Sequence, residues 1–245
     1  MRMTRLLSRR HVTGTRRTRR VGALVRWPVG FALVTWRYLW RTTPMHRAEE
    51  PGDASDAPPA IPAEFVDEKL QPPADGYGDL LHRLYTVRIK DTRTTAEGLM
   101  SLLQSDVNRM VPTEIAIFRR TEGTRGSLTP GDEFLIRLPG PWDGPVRVIE
   151  SDATRFRFAT LRGHLEAGVI EFRTGTVDGR LVFSVESWAR PGDRLSHILY
   201  NRLLAAKEIQ LNMWTEACLR SARLAGGRPD RGISVHTRRV ADPAG

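Results

Sequence analysis

Hydrophobic and polar residues alternate with a period of two through much of the chain between residues 84 and 189. Seven stretches show this alternation, with turn-forming residues between them: 84–89, 114–120, 132–138, 145–151, 155–161, 168–174 and 180–189. In one of them, Phe156 and Phe158 alternate with Arg155 and Arg157, which is typical of an antiparallel strand with one buried face. Asp-Gly dipeptides at 143–144 and 178–179 predict tight hairpin turns. The pattern predicts a sheet of about seven antiparallel strands.

Two further segments have the apolar spacing of helices. Thr94 or Thr95 is placed to cap a short helix whose buried side begins at Leu99. A longer helix is predicted to begin at Asp193 and to end before the glycines at 226–227. The order of strand, helix, six strands and long helix predicts an α+β helix-grip fold, in which a twisted antiparallel sheet surrounds a long C-terminal helix.

Charge divides the chain into segments. The formal net charge is +10, and residues 1–47 contain twelve arginines and no acidic residue. Residues 48–76 contain eight acidic residues, six prolines and one lysine. We therefore predict a basic leader over 1–47, an acidic Pro-rich linker over 48–76, the helix-grip domain over 77–227 and a disordered tail over 228–245.

The leader combines arginine with aromatic residues. As a helix, residues 21–41 place arginines on one face and aromatic and aliphatic residues around the rest. Tryptophan and tyrosine settle at the headgroup level of a bilayer, so we predict an amphipathic helix on an anionic membrane surface. The residues predicted to contact the membrane are Arg26, Trp27, Phe31, Trp36, Arg37, Tyr38 and Trp40.

Three arrangements of this helix fit its sequence: it lies in the interface, it spans the bilayer at a tilt with snorkelling arginines, or it packs on the body. Its uninterrupted apolar run, residues 27–36, has ten residues, too few to cross a hydrocarbon core of about 30 Å. No small-residue cleavage site follows the run, so we expect a cytoplasmic protein at the inner face of the membrane. Arginine-rich leaders also bind nucleic acid, but the body has no recognition-helix or RNA-stacking motif, which disfavours that partner.

The composition disfavours metal and disulfide chemistry. A single cysteine, Cys218, excludes an intramolecular disulfide, and the six histidines share no ligand spacing. We therefore expect neither a metal nor a cofactor.

His164 and Glu166 are the best acid–base candidates, because residues two apart on a strand share a face and a carboxylate can orient an imidazole. A turn whose polar side chains cap backbone groups explains the same pair. No nucleophile has a visible base partner, so binding is favoured over catalysis. Gln210 is expected on the solvated side of the long helix unless that helix lines a pocket. If packing leaves a void, an apolar ligand would contact Phe134, Trp142, Phe156, Phe158, Phe172, Phe183 and Met213.

Segments 131–150, 158–172 and 185–216 resemble the bacterial and plant domain-of-unknown-function nineteen-ninety family, and the leader motif at 36–47 resembles that of its bacterial members. The family signature is similar to T-L-x-G-H-P-E-x-G-E, and the matching residues are Thr160, Leu161, Gly163, His164, Glu166 and Gly168. Two positions differ from this signature: Leu165 stands where the family usually has proline, and Val169 where it often has glutamate. The family has no settled activity, so this resemblance implies a fold and no reaction.

The order of elements also resembles the START-like, birch-pollen-allergen-like superfamily, whose sheet and helix often enclose an apolar cavity. This resemblance implies binding of an apolar small molecule or lipid. An enzyme that uses His164 and Glu166, and an interaction scaffold with a solid core, remain as alternatives. The sequence determines neither the ligand nor the oligomeric state.

Overall fold

The computed structural model describes residues 43–138, 143–192 and 204–241, with side chains from residue 210 onward in the last range. Within these ranges the chain forms nine strands and two α-helices. The strands are β1 (Met45–Pro51), β2 (Leu80–Lys90), β3 (Ile117–Glu122), β4 (Glu133–Arg137), β5 (Asp143–Ser151), β6 (Arg155–Thr160), β7 (Glu166–Val177), β8 (Arg180–Pro191) and β9 (Arg228–Val240). The helices are α1 (Ala96–Ser105) and α2 (Leu204–Leu224).

The strands form one sheet in the order β1-β9-β2-β8-β7-β6-β5-β4-β3. Every neighbouring pair is antiparallel except β1 and β9, which run parallel. The α+β fold with a mostly antiparallel sheet is therefore confirmed. The seven predicted strands correspond to β2 through β8, and the described residues contain nine strands rather than seven.

The end of the chain differs from the prediction. We expected disorder over 228–245, but Arg228–Val240 forms strand β9 between β1 and β2. Ile233 and Val235 are the buried hydrophobic residues of this strand, so its alternation is too short to identify it from sequence. Hydrogen bonds to a strand on each side hold it in place.

One of the two predicted hairpin turns is confirmed. Asp178 and Gly179 connect β7 to β8 with positive φ angles of 50° and 70°, as expected for a type I′ turn. The other prediction is wrong, because Asp143 and Gly144 belong to β5, where Gly144 pairs with Ile136 of β4.

Both helices pack on the same face of the sheet, which we call the inner face. Thr95 caps α1 as predicted, because its hydroxyl accepts a hydrogen bond from the N–H of Gly98 at 3.1 Å. Helix α2 ends at Leu224, in agreement with the predicted end, and Gly226 has a φ of 69°. The predicted start of the long helix at Asp193 lies outside the described residues. No helix in the described ranges is long and apolar enough to cross a membrane.

The opposite, outer face of the sheet is covered by residues 52–76, which we call the strap. The strap makes three 3-10 turns, and its Leu70 packs with Ile149, Ala159 and Val169 of the sheet. The solvated linker predicted for residues 48–76 is thus replaced by a segment packed on the body. The prolines of the strap disfavour a helix or a central strand but allow this packing.

Ionic contacts attach the strap to the outer face. These contacts are Asp56–His82 (2.7 Å), Asp56–Arg238 (3.1 Å), Asp67–Arg147 (2.8 Å) and Lys69–Glu133 (3.3 Å). Charged residues of the strap therefore meet residues of opposite charge on the sheet.

Candidate functional site

The inner face has a filled half and an open half. In the filled half, Phe156 and Phe172 are fully buried, their rings stack at 4.7 Å, and Trp214 of α2 meets Phe172 at 5.5 Å. In the open half, Ile170, Ser187 and Ala189 are only partly buried. These three residues lie in strands with neighbours on both sides. The described part of the chain therefore covers these three side chains only in part.

Three polar side chains from three elements meet in the open half, and we call them the polar bridge. Arg83 of β2 is 8% exposed, and its Nη1 donates a hydrogen bond to Oε1 of Gln210 on α2. Nε2 of Gln210 donates to Oε2 of Glu166 on β7 at 2.6 Å. The polar bridge therefore connects the helix to two strands at a position where most inner-face residues are apolar.

Arg83 lies in the polar bridge because the alternation of β2 puts it on the same face as Tyr85 and Val87, both buried. Burial raises the pKa of Tyr85 to about 12, so its phenol is neutral at pH 7. The charges of Arg83 and Glu166 both act on this phenol. The open half thus combines an apolar surface with a guanidinium–amide–carboxylate chain, and the neutral phenol of Tyr85 packs in the core next to it.

The imidazole of His164 lies beside β5, where a Cβ on Gly144 would be only 2.9 Å from Cδ2 and Nε2 of the ring. Its Nδ1 lies 2.9 Å from the backbone nitrogen and 3.1 Å from the carbonyl oxygen of Glu166. Burial lowers the pKa of His164 to about 4. This histidine is therefore neutral at pH 7.

The imidazole of His164 and the carboxylate of Glu166 have different partners. The imidazole bonds to the backbone of Glu166, whereas the carboxylate accepts from Gln210. Gln71 of the strap holds the same turn, because its Nε2 donates to the carbonyls of His164 and Glu166, both at 3.2 Å. The geometry has the backbone capping expected of a structural turn, and a catalytic role for the pair stays a prediction.

The residues predicted to contact a ligand lie in the core. Phe134, Phe156, Phe158, Phe172, Phe183 and Met213 belong to one hydrophobic cluster. One of them borders the open half, because Phe158 pairs with Ile170 across β6 and β7. Trp142 lies outside the described residues, and so do the predicted membrane contacts Arg26, Trp27, Phe31, Trp36, Arg37, Tyr38 and Trp40.

The sequence analysis missed Arg83 and placed Gln210 on the solvated side of the helix. Tyr85, Val87 and Ile89 alternate along β2, and Arg83 lies two residues before Tyr85 on the same face. This position in the alternation could have identified Arg83 from the sequence. Gln210 faces the sheet because it lies four residues before Trp214, one turn along the same side of α2.

Metal ligation has no support in the described part of the chain, where no group of three or more His, Cys, Asp or Glu side chains could hold an ion. Cys218 is fully buried on α2, and burial raises the pKa of its thiol. A buried neutral thiol is a packing residue rather than a nucleophile.

A second titratable cluster lies on the outer face. The imidazole of His82 contacts Oδ1 of Asp56 and Oε1 of Glu186, both at 2.7 Å, and stacks on Trp188 with centroids 5.0 Å apart. Burial opposes the charged form of His82, but the hydrogen bonds to Glu186 and Asp56 outweigh it and raise the pKa above 6.5. Both ring nitrogens have carboxylate partners, so this cluster fastens the strap to the sheet.

Residues 105–217 match the model of a family described as "Domain of unknown function (DUF1990)". The match is a little under half of the 245 residues. It contains strands β3 through β8 and the part of α2 that carries Gln210 and Trp214. The resemblance drawn from the sequence is thereby confirmed. No curated protein matches the chain.

Solved structures similar to this chain have low sequence identity. An NMR structure from Thermobifida fusca has a TM-score of 0.41 and 12% identity, covering 59% of this chain and 94% of that chain. Ara h 8.0201 has a TM-score of 0.37 and 10% identity, covering 56% and 97%. Norcoclaurine synthase from Thalictrum flavum, in complex with dopamine and hydroxybenzaldehyde, has a TM-score of 0.40 and 10% identity, covering 65% and 93%. At these values no property of those proteins is carried over to this chain.

The raised pKa of His82 predicts a pH-dependent contribution to stability. Below pH 6.5 the histidine is protonated in both folded and unfolded chains, so its ion pairs contribute fully. That contribution is lost as the pH rises through the raised pKa of the folded state. The difference in free energy of unfolding between wild type and His82→Gln should therefore be largest below pH 6.5 and shrink above it. Urea denaturation over a pH series measures it.

His236→Gln is the matched control for this measurement, because His236 is an exposed histidine on β9. It should change stability little at any pH. If the difference in free energy of unfolding between wild type and His82→Gln stays constant or grows with pH, the result contradicts stabilisation by ion pairs of His82.

Proposed function

We propose that this domain binds an apolar small molecule or lipid in the open half of its inner face, between the sheet and the last helix. The proposal takes the sheet and α2 as a helix-grip arrangement, in which the helix closes the inner face. The observation that carries it is the partly buried surface of Ile170, Ser187 and Ala189 beside the polar bridge, in which Arg83 is buried.

The composition of the open half is that of a ligand site. Small-molecule sites are mostly apolar and have a few placed polar groups that fix the orientation of the ligand. Here Ile170 and Ala189 supply apolar surface, and Arg83 and Gln210 supply guanidinium and amide donors. A ligand with an apolar body and an oxygen-bearing head group fits this set.

As a purely structural feature, the polar bridge would lower the free energy of unfolding relative to an apolar cluster of similar size. Burying the guanidinium of Arg83 costs several kcal/mol in desolvation free energy, and a hydrophobic residue of similar size often stabilises a fold equally well. Arg83 is nevertheless buried on an inner face whose neighbouring inward residues, Tyr85 and Val87, pack in the core. Selection for binding explains polar groups in such a position.

The alternative function, an enzyme using His164 and Glu166, has less support. General acid–base catalysis needs an imidazole or carboxylate whose proton reaches a reacting group. The hydrogen bonds of the His164 ring go to the backbone of Glu166. With a pKa of about 4, this imidazole would also be a weak base at neutral pH.

We also propose that the leader holds the domain at the inner face of an anionic membrane. The support is the composition of residues 1–47, with twelve arginines and no acidic residue, together with Trp27, Trp36 and Trp40. A segment with basic and aromatic residues binds anionic bilayers through apolar burial and charge attraction. The leader continues into β1, an edge strand, so attachment leaves the core undisturbed.

Ser187→Trp tests the ligand site, because an indole at this partly buried position would fill the space beside Ile170 and the polar bridge. The probe is 8-anilinonaphthalene-1-sulfonate, an apolar fluorophore with an anionic head group. Overfilling a site costs about 1–3 kcal/mol, so we expect binding of the fluorophore to weaken by about 5- to 150-fold.

Ser184→Trp is the control, since Ser184 lies on the same strand but faces outward beside Thr86 and Arg173. It should leave fluorophore binding close to that of the wild type. Equal effects of the two substitutions, or no binding by the wild type, would contradict the proposed site.

The proposed attachment predicts that full-length protein floats with vesicles containing phosphatidylglycerol. Replacing Trp27, Trp36 and Trp40 together with alanine removes the aromatic anchors but keeps every arginine, and should weaken vesicle binding by at least about tenfold. A wild-type chain that stays with the soluble fraction would rule the attachment out.

A further inference from the structure

One end of the sheet carries a cluster of basic turns, which we call the basic end. It consists of residues 88–93, 177–180 and 228–232, where β2 ends, β7 turns into β8, and β9 begins. Its basic residues are Arg88, Lys90, Arg93, Arg180, Arg228 and Arg231, and its acidic residues are Asp91, Asp178 and Asp230.

The three segments form one continuous surface. Lys90 pairs with Arg228 in the register of β2 and β9. The carboxylate of Asp230 lies 3.3 Å from Nζ of Lys90 and 3.8 Å from Nε of Arg180. A single ligand surface can therefore contact all three segments together.

The positive charge of this surface is only partly compensated. Asp91 pairs with Arg228 at 2.9 Å, Asp178 with Arg88 at 3.3 Å, and Asp230 with Lys90 and Arg180. Within the described residues, the exposed side chains of Arg93 and Arg231 contact no carboxylate. Two guanidinium groups are thus available to an anionic partner.

The leader joins the body beside this surface. The carbonyl of Pro44 accepts a hydrogen bond from the N–H of Ile233 at 3.0 Å. Gly232 has a φ of 96°, and a Cβ on it would lie 2.2 Å from the same carbonyl. The chain before residue 44 therefore starts next to Arg231, so whatever holds the leader comes close to the basic end.

The opposite ends of β1, β9 and β2 have the reverse charge balance. Carboxylates of Glu49, Glu50 and Asp79 surround Arg238 and Arg239 there, with contacts of 3.5–3.9 Å. An anionic surface would be repelled at that end and attracted at the basic end.

We propose that the basic end of the sheet lies directly on the anionic lipid surface that the leader binds, with Arg93 and Arg231 contacting lipid headgroups. This inference rests on the proposed membrane attachment and gives it an orientation. Val177, which is 45% exposed, places an apolar side chain at the same surface. The aromatic residues of the leader favour a lipid partner over nucleic acid.

The orientation has a consequence for the ligand. Ser187 and Ala189 lie near the end of β8, whereas the basic end contains its start at Arg180. With the basic end on the bilayer, the open half of the inner face is directed away from it. The ligand is then exchanged with the aqueous phase.

The test compares full-length wild type with the double variant Arg93→Gln/Arg231→Asn. Asparagine suits position 231 because the φ of Arg231 is 61°, a left-handed conformation that asparagine tolerates. Each basic residue near an anionic surface contributes about fivefold in affinity, so the pair should lose about 30-fold for phosphatidylglycerol vesicles. Thermal unfolding checks that the variant is folded.

The matched control is Arg109→Gln/Arg125→Gln. Arg109 and Arg125 are exposed and lie near β3, at the other edge of the sheet from β1. This control removes the same charge and should retain wild-type vesicle binding.

The outcomes separate the inference from the proposed function. Wild type that does not bind vesicles overturns the membrane attachment and with it the orientation. Wild type and Arg93→Gln/Arg231→Asn binding equally well overturns the orientation alone. A loss of vesicle binding of equal size in Arg109→Gln/Arg125→Gln shows that binding depends on net charge rather than on the basic end. That result also overturns the orientation. Preferential binding of a short RNA, lost in the same double variant, assigns the surface to nucleic acid instead.

Discussion

Packing of the last helix on the aromatic inner face is the interaction on which the rest of the structure depends. Trp214 contacts Phe172, and Ala217 and Cys218 on the same helix are fully buried in the same cluster. Fully burying a large apolar side chain stabilises a fold by about 1.5–3 kcal/mol. The helix covers one half of the inner face in this way. In the other half, the inner-face side chains are partly exposed. There the helix contacts the sheet through Gln210 of the polar bridge.

The outer face requires a second cover because its strands carry charges on the side away from the helix. Arg157 and Glu171 form an ion pair at 3.0 Å, and Glu171 is 2% exposed. Such a pair adds little stability, but removing one partner costs about 3–5 kcal/mol. A slip of one residue in β7 would turn Glu171 into the aromatic core and Phe172 outward. The pair therefore helps to fix the register, and the strap completes the burial.

The sequence predicted the parts of the fold that carry a long alternation. Strands β2 through β8 and the cap of α1 at Thr95 follow from local pattern. Strand β9 could not be predicted, because Ile233 and Val235 are its buried hydrophobic residues and its pairing with β1 and β2 is a long-range property. The strap was missed for a similar reason, since its acidic residues find basic partners far away along the chain.

The candidate site was predictable only in part. Aromatic residues of the core were identified, but whether they fill their space depends on packing that sequence does not specify. His164 and Glu166 were found as a pair, yet their separate partners depend on Gln210 and Gln71, which approach from other elements. Arg83 could have been found, because an arginine in phase with Tyr85 and Val87 breaks an apolar face.

The most direct measurement of the central claim is native mass spectrometry of the full-length chain isolated from its own host, followed by organic extraction of what it releases. If the proposed ligand site is occupied, we expect a population heavier than the 27.6 kDa chain, from which an apolar molecule with an oxygen-bearing head group is extracted. A chain found only at its own mass, with no molecule extracted, would contradict the proposed ligand site.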